Sequence, residues 1–312
     1  MLKRLLSLGI LLSAAIIWGF AFVAQGQSAG IPAFTLGAAR SWLGAFFLLA
    51  LILILDPALK TGRRLFSRRG VDLNRYEIIG GVICGTVLAI ASALQQIGIN
   101  NNTPPGKAAF ITALYVVLVP IYALFLKRRA PLNVWIAVLI SVAGFYLLCI
   151  KEDFSIARSD IYVILCALIF PVHILAIDRF APRCDGVRMS CVQFFTAAII
   201  NSAVAVIFER PIAIGEIAGA VLPVLYLGIG SSGIAYTLQI IGQRNANPTA
   251  ATIVLSLESV FGVIGSALIL KSAMLPREYA GCAIVLLAVI LSQIDATALI
   301  KAYKSKRLTK NE

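Results

Sequence analysis

Residues 248–270 read PTAATIVLSLESVFGVIGSALIL. The stretch has the length and apolarity of a membrane-spanning helix, since about 20 apolar residues at 1.5 Å rise cross a hydrocarbon core. Yet Glu258 stands near its middle, about 15 Å in. A carboxylate at that depth costs about 2.5–3.5 kcal/mol on insertion scales, so a chain keeps one only where it faces protein or water. There it is neutral and able to carry a coupling proton, or ionised and paired with a cation, or a hydrogen-bonded packing group. A second stretch, residues 105–126 (PGKAAFITALYVVLVPIYALFL), has the same outline, with Tyr115 where the first has Glu258.

Outward from these two stretches the chain keeps the same character. It is 60% hydrophobic and 13% charged, which excludes a soluble domain. The short alternating segments of a membrane β-barrel are absent. Apolar runs predict an all-α polytopic membrane protein with ten transmembrane helices, near 5–25, 32–55, 78–98, 105–126, 132–150, 159–177, 188–208, 217–241, 248–270 and 277–294. Pro32, Pro105 and Pro248 fall at or near first helical positions, where the missing N–H costs nothing. The N-terminal apolar run continues past Trp18 to Val23 without a small-x-small cleavage site, so a retained first helix is predicted. The six cysteines show no CxxC spacing and read as small apolar fillers, with no disulfide, metal or cofactor expected.

The net charge of +13 is a topology signal here, and no nucleic-acid partner is expected. With the N-terminus inside, 20 of the 27 Lys and Arg fall on the cytoplasmic side, against 6 outside and Arg40 within the membrane. That bias predicts an even number of spans and two cytoplasmic termini. The long loop 56–77 is strongly basic, and the tail 297–312 is predicted to be a basic anchor touching anionic lipid.

Shifting the chain by 143 residues lays 105–150 onto 248–293. Pro105 then meets Pro248, Leu114 meets Leu257, Gln96 meets Gln239 and Gly85 meets Gly228. Earlier in the halves the shift grows to about 152, which puts Arg40 next to Gln193. The repeats are 1–152 and 153–296, five spans each. An odd number forces the second to run inverted, an architecture that places a binding site at the repeat interface near the midplane.

Several segments resemble the EamA-type drug/metabolite transporter superfamily. They are IIWGFAFVAQ, AARSWLGAFFLL, LQQIGINNNTPPGKAAFITALYVVLVP, LCALIFPVHILAIDRFAPR and YTLQIIGQRNANPTAATIVLSLESVFG, which together span both repeats. The resemblance implies ten helices, a central cavity, alternating access and no ATP-binding part. It leaves the substrate open. The chain departs from the pattern at Ser259, where the family has proline, and at Lys127 and Lys271, near which the family closes its helices with an acid. The lost proline puts a helix break beside Glu258 in question.

Arg40 lies about 12 Å into the second span, too deep for an interface anchor. It is a candidate for holding an anionic group or pairing with Glu258; a structural bond to a carbonyl or acid inside the bundle is the alternative. His173, the lone histidine, is a candidate proton carrier or a hydrogen-bonded bundle residue. Ser232, Tyr236 and Gln239 share one face of the eighth helix at i, i+4 and i+7, and Ser92, Gln95 and Gln96 form a patch on the third. Tyr115 and Gln193 are further candidates, and Trp18 and Phe22 supply aromatic wall beside Tyr236. Lys107, near a helix end, reads as a snorkelling side chain. GIGSSG at 228–233 is expected to serve close packing or to loosen the eighth helix.

Three classes compete. The first is a secondary transporter of small organic metabolites, with amino-acid-like export or exchange suggested by the resemblance alone. It would sit in a cell membrane of bacterial inner-membrane type, as a monomer or weak dimer. An intramembrane enzyme is disfavoured, because HExxH, GxSxG and paired-Asp motifs are missing from the sequence. A channel or scaffold is the third.

Overall fold

The computed structural model describes residues 2–58, 66–67, 70–71, 73–128, 130–149, 156–209, 214–271 and 274–293. The predicted tail 297–312, the junction at 152–153 and residues 59–65, 68–69 and 72 of the basic loop 56–77 lie outside them. The first half comprises α1 (Leu2–Gln27), α2 (Ala33–Ala58), α3 (Arg75–Asn100), α4 (Pro105–Ala113), α5 (Tyr115–Phe125) and α6 (Leu132–Cys149). The second comprises α7 (Asp160–Phe180), α8 (Gly186–Phe208), α9 (Ile214–Gly219), α10 (Val221–Leu225), a π-helical segment (Tyr226–Ala235), α11 (Tyr236–Gln243), α12 (Pro248–Leu255), α13 (Glu258–Ile269) and α14 (Pro276–Gln293). A two-residue hairpin pairs Phe66–Ser67 with Gly70–Val71.

Among the described residues eight helical runs are long and apolar enough to cross a membrane, and α6 and α14, 18 residues each, complete the bundle. Only helices or a closed barrel satisfy every backbone group inside hydrocarbon, so the apolar runs left the fold little choice. The outer surface carries large apolar side chains such as Leu139, Phe208 and Leu222, each more than two-thirds exposed. The core instead holds buried polar groups, among them Arg40, Gln96, His173, Gln193, Gln239 and Glu258.

The contacts between helices follow the repeat. Counting α4–α5, α10–α11 and α12–α13 as the fourth, eighth and ninth spans, the second pairs with the seventh and the fifth with the tenth. The third packs on the sixth as the first packs on the eighth, and the fourth on the sixth as the first on the ninth. Each pairing is its own image, or has one, when the spans are advanced by five. The halves are therefore duplicates, and their odd span number makes them inverted.

Both repeat-equivalent long spans are interrupted at matching places. The fourth breaks at Leu114, before Tyr115, and the ninth at Ser256–Leu257, before Glu258. The ninth breaks without the proline whose absence left this open. Thr252 Oγ1 donates to the Thr249 carbonyl (2.7 Å) and Ser256 Oγ to the Ile253 carbonyl (2.8 Å), tightening the turn from the side chains. Lys127 and Lys271 end these spans in the left-handed region at φ 58° and 53°. After Lys127, the Arg128 N–H reaches back to the Ala123 carbonyl (2.9 Å), closing the helix without the acid of the family pattern.

Small residues set the helix spacing. A Cβ on Gly85 would lie 2.4 Å from the Gln193 carbonyl oxygen, whereas one on Gly9 would meet nothing within 4 Å. Gly85→Ala is expected to lower stability by about 1–3 kcal/mol, and Gly9→Ala to leave it within about 0.5 kcal/mol. The thermal midpoint of the purified protein in detergent measures both.

Candidate functional site

The two interrupted spans meet at mid-depth. Tyr115 Oη donates to Glu258 Oε1 at 3.0 Å, joining the residues that the repeat makes equivalent. From there a cavity opens between the halves, lined by Trp18, Arg40, Tyr115, Tyr236, Gln239 and Glu258 among others. Of the predicted polar patch on α3, Ser92 and Gln95 also line it and Gln96 does not. It offers about 50 Å³ of room for the centres of water molecules.

Arg40 enters from α2. Its Nε donates to Ser232 Oγ (3.1 Å) and its Nη2 to Ser231 Oγ (3.0 Å), both on the π-helical segment. The loosened register lets two consecutive serines, rather than residues a turn apart, grip one guanidinium. Its Nη1 has no hydrogen-bond partner among the described residues, and neither does Glu258 Oε2. Arg40 and Glu258 do not form an ion pair with each other. Tyr236 stands within electrostatic reach of both. One cavity therefore holds a cationic and an acidic group, each with an unused atom.

Three candidates stand one layer back from the cavity. His173 Nε2 meets Gln193 Oε1 at 3.1 Å, both fully buried. The imidazole packs edge-on against Tyr236, with ring centroids 5.8 Å apart, and Trp18 closes on Tyr236 from the other side at 4.6 Å. Gln96 Nε2 donates to Asn100 Oδ1 (2.8 Å) and to the Gln25 carbonyl (3.4 Å). These residues brace the walls.

Gln25, Thr112 and Ser231 line the cavity and were not singled out in the sequence. Gln25 Nε2 donates to Gln95 Oε1 (3.0 Å), and Gln95 Nε2 donates to Thr112 Oγ1 (3.0 Å), a chain across the first, third and fourth spans. Lys107 does not snorkel freely. It pairs with Asp160, an acid 1% exposed that also accepts from Thr103 Oγ1 at 3.0 Å. Among the described residues no group of three or more His, Cys, Asp or Glu is placed to hold a metal ion.

Duplicated, inverted five-helix halves around a charged midplane cavity define a carrier of small molecules across a membrane. Residues 5–150 and 157–293 each match the EamA-like transporter family. The chain belongs to that family, which is one of transporters and not of enzymes. It is 28% identical over 225 residues to an uncharacterized transporter of Archaeoglobus fulgidus, covering 70% of each chain. A solved crystal structure shares the fold with a TM-score of 0.75 at 19% identity, over 94% of this chain and 98% of that one.

Hydrogen bonds to a charged group contribute about 1.5–3 kcal/mol. Replacing Ser231 and Ser232 together by alanine is expected to destabilise the protein by about 3–6 kcal/mol, both bonds being lost, because the Arg40 guanidinium stays buried without acceptors. Ser13→Ala, at an exposed serine, is the control. Thermal denaturation of both variants beside the parent reads the difference.

Proposed function

We propose that the protein is an alternating-access secondary transporter for a small zwitterionic, amino-acid-like metabolite, acting as an exporter or exchanger. It resides in a cell membrane with both termini in the cytoplasm, the orientation that the distribution of Lys and Arg favours. The observation that carries the reading is the pair of unused atoms in one cavity, Arg40 Nη1 and Glu258 Oε2. A substrate carboxylate completes the first and a substrate ammonium the second. A purely cationic substrate would leave the Arg40 charge unmatched in a low-dielectric site, which is costly, and a purely anionic one would leave Glu258 protonated and uncoupled.

Substrate binds between the halves, and the halves rock about it to expose the cavity to each side in turn. The inverted packing supports this, since exchanging the conformations of the two copies converts an opening on one face into an opening on the other. Glu258 is the coupling acid: it releases its proton to face the ammonium and takes one up when the cavity empties. Tyr115 holds it in place through Oε1 and leaves Oε2 to substrate.

Proteoliposome uptake tests the reading, after a thermal-shift screen of amino acids, nucleosides and vitamins has chosen the substrate. Saturable flux with counterflow is expected; linear, unsaturable flux would mean a channel. Arg40→Ala should weaken substrate binding by about tenfold to a hundredfold, the loss of a charge-assisted contact. Glu258→Gln should abolish accumulation driven by a proton gradient and leave counterflow that saturates only at a raised substrate concentration, because the acid no longer meets the ammonium. A Glu258→Gln protein that fails to insert or fold would reduce the acid to a packing group.

A further inference from the structure

A second cavity lies against the first and belongs to a different chemistry. It sits between α1, α4 and α13, with about 500 Å³ of room for the centres of water molecules, ten times that of the charged centre. Its lining is mostly apolar and small, including Ala109, Gly262, Val263 and Ser266, and it runs out to the helix ends at Gln27 and Glu278. Phe22 lines both cavities. The two are stacked along the same helices: Glu258 faces the centre, while Gly262, one turn further on, faces the chamber. A Cβ on Gly262 would come within 4.0 Å of the Phe22 ring. The phenyl group is thus the partition between them.

The sizes decide what each can hold. The charged centre has a tenth of the chamber's room, and its lining carries Arg40, Glu258 and the amides of Gln25, Gln95 and Gln239. Those groups suit a carboxylate and an ammonium, and an apolar side chain buried among them would leave polar atoms unmatched. A larger side chain needs space elsewhere, and the adjoining space is apolar. The chamber is lined by Ser259 and Gly262, within one helical turn of Glu258 or about 6 Å along the axis, which is within reach of a leucine or phenylalanine side chain.

We infer that this chamber is a side-chain subsite, and that Phe22 swings aside to admit the apolar side chain of a zwitterion whose head group lies at Arg40 and Glu258. The inference rests on the reading of the charged centre given above. Each methylene moved from water into such a chamber tightens binding about fourfold. Leucine should therefore outcompete alanine by tenfold or more.

The test is counterflow of alanine, leucine and phenylalanine by the full-length protein in proteoliposomes, for the parent, Ser266→Leu and Ala109→Leu. The two variants fill the chamber from opposite walls, and alanine counterflow by each reports that it folds. The parent should prefer leucine and phenylalanine over alanine by at least tenfold, and the preference should collapse by about that factor in either variant. An unchanged preference in both overturns the inference while leaving the charged centre intact. So does a chamber that native mass spectrometry finds filled by a lipid lost in Ser266→Leu, with selectivity unmoved. A parent that transports no zwitterion overturns the reading of the centre, and this inference with it.

Discussion

The hydrogen bond from Tyr115 to Glu258 is the point on which the bundle turns. In an inverted duplication, equivalent residues near the pseudo-two-fold axis are brought face to face. Identical partners would serve poorly at mid-depth. Two carboxylates would repel in a low-dielectric site, and two phenols would leave no charge for a substrate. A phenol opposite a carboxylate gives one donor and one acceptor, 3.0 Å apart. The shared backbone plan, including the interruption just before each residue, delivers both side chains to the same place. Divergence at that one pair turns a symmetric seam into a polar centre.

The surrounding residues keep this centre in shape without using up its charges. Arg40 is held through two of its nitrogens by neutral hydroxyls, and Glu258 through one oxygen by a neutral phenol. Acidic and basic partners would have neutralised them. Behind the cavity, Tyr236 is wedged between Trp18 and His173, and His173 is fixed by Gln193. The amides of Gln25 and Gln95 tie the first and third spans together along another wall. Neutral hydrogen bonds and ring packing thus do the positioning, while the formal charges stay available.

Much of the fold was legible in the sequence because hydrocarbon permits so few structures. Apolar runs fixed the helices, and the match of Gln96 with Gln239 and Pro105 with Pro248 revealed the repeat. The depth of Arg40 and Glu258 marked them as cavity residues. What periodicity handled less well was the eighth span. An α-helical register put Ser232 on the cavity face with Tyr236 and Gln239, but the π-helical segment turns Ser231 to the lining and leaves Ser232 as a support for Arg40. The placement of Gln96, His173 and Gln193 behind the wall depends on how neighbouring helices are rotated, which an all-apolar helix does not record in its pattern. The break beside Glu258 was also hidden, since hydroxyl groups of Thr252 and Ser256 supply it where a proline was expected.

The pairing of the fourth and sixth spans differs from its image in one respect. It carries Lys107–Asp160 near one end and Arg128–Asp178 near the other. The image pairing, first span on ninth, meets instead through Gly19, Gly262 and Gly265, whose missing side chains bring backbone against backbone and ring. In mechanical terms, one seam is a strut pinned at both ends and the other a plain bearing. Two seams that descend from a single plan are thus held by different means, one by ion pairs at its ends and the other by close backbone contact.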